Sequence, residues 1–142
     1  MTSKQKQLIE LFHNAPIAKY FGMRLSYNET GNAIFTLLYN PNLNHALGGI
    51  HGGVYMTMLD NAGWFTSAAT QDDNIWIATS EMQVHLLGPA RECTLTSIGS
   101  FIKKGKRQDI CEMKLFDDKQ KMIGHATGTF IQMPEVPLFS SK

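Results

Sequence analysis

The sequence is poor in cysteine, with two in 142 residues, and poor in proline, with five. Two cysteines exclude a disulfide-built scaffold. Cys93 and Cys111 sit in strand-like segments without metal-ligand spacing, the distribution expected of buried thiols in a reducing cytoplasm. No stretch approaches the ~20 apolar residues of a membrane span, and the polar start, Met1 to Glu10, does not read as a signal peptide. A cytoplasmic protein with no membrane partner is expected. Charge is nearly balanced, 13 Lys and Arg against 12 Asp and Glu, which argues against nucleic acid as a partner. With 43% hydrophobic residues, the chain suits a single domain, 1–142, able to bury a core without staples.

The most telling scarcity is local. Between Glu29 and Asp72 the only Lys, Arg, Asp or Glu is Asp60. A carboxylate in apolar company is expensive to ionise, so Asp60 is a candidate site residue as well as a candidate for simple capping by neighbouring hydroxyls or N–H groups.

What is present reads as α+β. Leu8, Ile9, Leu11 and Phe12 form an apolar stripe over residues 4–12, a short amphipathic helix ended near Asn14 and Pro16, so that 1–19 is helix and lead-in. Strands are predicted over 23–28 and 33–39, split by the turn residues 29–32. Residues 40–50, rich in Asn and Gly, form a loop. Residues 52–70 contain no proline and carry apolar side chains all round a helical wheel, which predicts a buried helix. Beyond a turn at 72–74, strands are predicted over 75–87, 91–102, 107–116 and 122–132, with a tail over 133–142. An antiparallel sheet of about six strands packed on one apolar helix follows. The helix covers one sheet face, and a second copy of the chain is the simplest cover for the other.

His51, Gly52 and Gly53 stand where the loop becomes the helix. Gly52 and Gly53 would offer N–H groups at its positive end, where a developing oxyanion is stabilised. Asp60 lies about 12 Å further along the same helix, too far to share one substrate within one chain. Two helices meeting antiparallel across a dimer would bring the two together.

The segment from His45 to Asp60 resembles the His-Gly-Gly-x6-Asp signature of hotdog-fold acyl-CoA thioesterases of the PaaI-like, phenylacetate-pathway type. Residues 79–89, 104–113 and 126–130 resemble that family's later strands, and the likeness spans roughly residues 20 to 132. It implies a hotdog fold, a homodimer or homotetramer with sites at the subunit interface, and hydrolysis of an acyl-CoA to acid and coenzyme A. No cofactor is implied beyond the coenzyme A of the substrate.

Position by position, the resemblance implies that the Gly52 N–H polarises the thioester carbonyl with His51 assisting, and that Asp60 of the partner acts as nucleophile or as general base on water. Thr79 falls where relatives position the attacking water. Six residues before the motif histidine, relatives carry Asn or Gln; here His45 stands there, with Asn44 just before it, and an imidazole N–H can also donate. Asn44 and Gly53 are candidate substrate contacts. Lys103, Lys104, Lys106 and Arg107 form the one concentrated basic patch, either a solvated turn or a contact for coenzyme A phosphates. Tyr55, Met56, Leu59, Trp64 and Phe65 are candidates for the acyl pocket. No metal site is expected, since the spacing of His45, His51 and Asp60 matches no familiar ligand pattern. The rival readings are a non-catalytic acyl-CoA-binding hotdog protein and a hotdog hydratase or dehydratase.

Overall fold

The computed structural model describes residues 1–72 and 74–139; Asp73 of the expected turn and the last three residues of the expected tail lie outside it. The chain runs through α1 (Ser3–His13), α2 (Pro16–Phe21), β1 (Met23–Tyr27), β2 (Ala33–Leu37), a 3-10 turn at Pro41–Leu43, α3 (Gly52–Ala68), β3 (Trp76–Leu86), β4 (Leu95–Lys104), β5 (Gln108–Phe116) and β6 (Met122–Met133). The six strands form one antiparallel sheet in the order β1-β2-β4-β5-β6-β3. The expected α+β architecture holds, and it is the hotdog arrangement, a sheet curled around one long helix.

Local chemistry explains most boundaries. Thr2 and Gln5 make a reciprocal capping box at the start of α1. Pro16, expected only to end a helix, instead opens α2 at its first position, where its missing N–H is not needed. The tail is anchored as well: the Trp76 N–H donates to the Val136 carbonyl, and Leu138 is buried. Strand β4 begins at Leu95, later than expected, because residues 91–94 belong to the loop.

Strand β3 carries a bulge between Thr79 and Glu81. The extra residue switches which side chains face inward. Ile77 and Thr79 point to the helix before it, and Met82 and Val84 pack on the core after it.

Helix α3 sits on the concave face, with Met58, Leu59, Ala62 and Ala68 wholly buried. Its seating is close because two glycines permit it. A Cβ on Gly99 would stand 2.2 Å from the Ala62 carbonyl oxygen, and one on Gly63 would meet the Phe130 ring and the Met113 sulfur. Not every face of the helix is covered, contrary to the all-round burial expected. Gly53, Met56, Thr57, Asp60, Asn61 and Trp64, spaced by three and four residues, form one partly open stripe, and Met56 is 43% exposed.

Gly99→Ala is expected to lower stability by roughly 1–3 kcal/mol, since the new methyl meets backbone that cannot step aside. Chemical denaturation of the two proteins measures the difference.

Candidate functional site

Asp60 and Thr79 come together. The Thr79 hydroxyl donates to Asp60 Oδ1 at 2.7 Å, joining the middle of α3 to the edge strand β3 at its bulge. One turn further along the helix, Trp64 Nε1 donates to the Ile77 carbonyl at 2.5 Å, a second tie between the same elements. Burial pushes the Asp60 carboxyl above the ordinary carboxylate range, and the Thr79 hydrogen bond opposes the shift.

Both residues line a cavity of about 640 Å³, together with the polar Asn14 and Asn61. Its walls are largely apolar: Leu11, Phe12 and Ile17 from the N-terminal helices, Trp64 and Phe65 from α3, and Trp76 from β3. Of the pocket candidates read from sequence, Trp64 and Phe65 line it. Tyr55 and Leu59 belong to the core instead, with the Tyr55 hydroxyl donating to the Gly88 carbonyl, and Met56 lies on the open stripe outside the cavity. Leu11, Phe12, Ile17 and Trp76 were missed because their contribution depends on where α1 and the edge strand β3 come to lie.

The remaining motif residues gather at the other end of α3. His51 caps the helix, its Nδ1 accepting the Gly53 N–H at 2.8 Å, which puts a neutral ring's proton on Nε2. The Gly53 N–H, expected to face a substrate, is therefore committed to His51. The Gly52 N–H has no acceptor among the described residues and remains the open donor at the helix start. Asn44 shares a small cavity of about 240 Å³ with His51 and Gly53. Its Nδ2 donates to the Tyr39 hydroxyl at 2.9 Å, while its buried Oδ1 lacks a partner. His45, by contrast, is exposed and outside that cavity, with its Nδ1 accepting the Leu47 N–H at 3.0 Å. The helix start and Asp60 thus form two half-sites separated along α3 by roughly 12 Å.

All four basic residues are exposed, but Lys103 and Lys104, expected in the turn, are the last paired residues of β4, and only Lys106 and Arg107 lie in the β4–β5 turn. Beneath them lies Asp109, wholly buried and overlooked in the sequence. It accepts from the Gly105 N–H at 3.1 Å, the Ser67 hydroxyl at 2.6 Å and the Gln71 amide at 3.2 Å. Lys104 reaches back to the Thr70 hydroxyl at 2.6 Å, so the turn is held against the C-terminal end of α3. Among the described residues no group of three His, Cys, Asp or Glu side chains could hold a metal ion. Both cysteines are free and buried, and burial pushes the Cys111 thiol up to about 12.

The raised Asp60 carboxyl couples the stability of the fold to pH. Its folded form releases the proton at higher pH than the unfolded chain does. The resulting destabilisation is absent at pH values below the ordinary carboxylate range, about 4, and grows as pH rises through the raised folded value. Asp60→Asn is therefore expected to be at least as stable as the parent at pH 7, with the difference closing in acid. Thr79→Val should drive the Asp60 carboxyl higher still, measurable as a titration of its carboxyl carbon by NMR.

A thioesterase from Haemophilus influenzae superposes with a TM-score of 0.85 at 16% identity, covering 99% of this chain and 95% of its own. A Bacillus halodurans protein solved with CoA superposes at 0.80 with 23% identity over 93% and 88% of the two chains. The PaaI protein of the E. coli phenylacetic acid degradation operon does so at 0.79 with 20% identity over 92% and 94%. At these identities the likeness is one of fold, and it agrees with the PaaI-like resemblance of the motif. Residues 47–123, more than half of the chain and spanning both α3 and β3, match the thioesterase superfamily model, and the chain belongs to that superfamily.

Proposed function

We propose that this chain hydrolyses acyl-CoA thioesters to free acid and coenzyme A, at sites shared between two copies. The observation that carries this reading is the Asp60 carboxylate, oriented by Thr79 at the mouth of an apolar cavity on the helix whose Gly52 N–H is left open. The half-sites of one chain are too far apart to grip one thioester. Two α3 helices running antiparallel would set each Gly52 beside the other's Asp60. The partly open stripe on α3 and the unpaired edge of β3 are surfaces suited to that pairing.

In the proposed reaction, the Gly52 N–H donates to the thioester carbonyl oxygen and strengthens that bond as negative charge develops there. The His51 Nε2–H assists from the same end. Asn44 fits the role expected of His45, because it shares the cavity with His51. Turning its amide over would let the Tyr39 hydroxyl donate to Oδ1. Asp60 of the other copy either takes a proton from water as it attacks or attacks the carbonyl itself. Collapse of the tetrahedral intermediate then releases the thiolate, which takes up the proton that Asp60 removed from water; where Asp60 itself attacks, the mixed anhydride it forms is hydrolysed by water, which supplies that proton, frees the acid and restores the carboxylate. The raised basicity of Asp60 suits the proton-transfer role.

Coenzyme A bound in the B. halodurans neighbour supports a CoA ester as the substrate. The basic turn supports it too. Arg107 accepts through its carbonyl from the Gln132 N–H, and Gln132 lies opposite Ile77, which puts the turn about two strand spacings, ~10 Å, from the cavity wall at β3.

Asp60→Asn is expected to lower turnover of an acyl-CoA by about 10²-fold or more without loss of fold, checked by thiol release and circular dichroism. Mixing it with a variant disabled at the Gly52 loop should restore part of the activity through hybrid sites; a fully active monomer would contradict the shared site. Neutralising Lys106 and Arg107 together should raise KM roughly three- to thirtyfold at low salt with kcat nearly unchanged, the effect fading as ionic strength rises.

A further inference from the structure

Leu11, Phe12 and Ile17, which line the Asp60 cavity, come from the N-terminal helices, outside the segment that matches the superfamily. We propose that α1 and α2 are this chain's acyl-selecting wall. They tune the cavity to an uncharged acyl group with an apolar body of about six to ten carbons. The inference rests on the thioesterase reading and adds its substrate class.

The cavity has a direction. Asp60 and Thr79 mark its polar end. From there the helix and the strand lead the same way: Trp64 and Phe65 lie about one turn along α3, and Ile77 and Trp76 lie two and three residues back along β3. Three residues of strand span about 10 Å. Leu11, Phe12, Asn14 and Ile17 bring the N-terminal helices to the same cavity, where the Phe12 ring meets Phe65. An extended chain advances about 1.2 Å per bond, so roughly eight bonds span that length of the cavity.

The wall is fixed. Leu8 and Phe12 anchor α1 in the core, and the Phe12 ring meets Phe65 edge-on at 5.4 Å between centroids, while Trp64 meets Trp76 at 5.8 Å. A rigid boundary of this kind sets a length limit. Leu11, Ile17 and Trp76 remain 38%, 48% and 41% exposed although they border a concavity, so apolar surface there is still available to a ligand. The lining includes no Lys or Arg to pair with an acyl carboxylate, and Asp60 would repel one. An acyl body explains why the apolar surface is continuous with a hydrogen-bonded carboxylate, which a plain contact between copies would not require.

The test measures kcat/KM over acetyl-, butyryl-, hexanoyl-, octanoyl-, decanoyl-, palmitoyl- and succinyl-CoA for the parent, Leu11→Trp and Ile17→Ala. Both substitutions are at partly exposed positions, and melting curves verify folding. The parent is expected to gain roughly three- to fourfold per added methylene up to about eight carbons and then level or fall. Succinyl-CoA should be a poor substrate. Leu11→Trp should shift the optimum shorter and lower the octanoyl-to-acetyl ratio at least tenfold, and Ile17→Ala should shift it longer. Coinciding profiles for the three proteins, or a change in oligomeric state without a change in profile, would overturn the inference and leave hydrolysis standing. If none of the esters is hydrolysed, the hydrolytic reading fails. Calorimetric Kd values for the same series then decide the wall: the same length order and the same shifts support it, and a flat series overturns it.

Discussion

The close seating of α3 on the sheet is the constraint on which the rest depends. Gly99 and Gly63 remove the two Cβ atoms that would otherwise hold helix and strands apart, and the Ala62 carbonyl and the Phe130 ring occupy that space. Interiors packed this tightly do not deform by small amounts. With one face of α3 pressed onto β4, β5 and β6, the opposite stripe carrying Asp60, Asn61 and Trp64 is turned toward the edge strand and outward. The helix also carries polar ties to its surroundings: Ser97 donates to the Met58 carbonyl, Tyr27 to the Phe65 carbonyl, and Thr66 accepts the Ala33 N–H. These bonds fix rotation as well as position, so the direction of Asp60 is not left to rotamer chance.

The edge strand β3 is the second fixed element, and its bulge matters because of the first. A strand without the extra residue could not keep Ile77 and Thr79 facing the helix and also direct Met82 and Val84 inward. Thr79 and the Ile77 carbonyl engage α3 from the same short stretch. The Asp60 carboxylate thereby combines partial burial, which raises its affinity for a proton, with an oriented hydroxyl that keeps it from being a merely unpaired charge. That combination is destabilising for the fold, and under the proposed function it is the trade of stability for activity.

The basic turn rests on a different principle. Asp109 is buried beneath it with three donors, and Lys104 is tied to Thr70, so the turn is ordered by polar bonds rather than apolar packing. Lys106 and Arg107 are held on a defined loop, which would lower the entropy lost in meeting the coenzyme A phosphates of the proposed substrate.

Residue periodicity and composition were enough to determine the buried helix, read over 52–70 and observed over Gly52–Ala68, the six strands, the α+β class and the isolation of Asp60, because these depend on local spacing and on the scarcity of charge. The His-Gly-Gly-x6-Asp spacing also pointed to the superfamily. The second helix opened by Pro16 was not legible, since a proline that ends one helix and a proline that begins another have the same local signature. The strand order, the bulge at Thr79, the cavity walls supplied by Leu11, Ile17 and Trp76, and the three donors on Asp109 were decided only in three dimensions. Each of them joins residues far apart in the chain, and a side chain's neighbours across a sheet or over a helix depend on register and on close approach, which no window of adjacent residues contains.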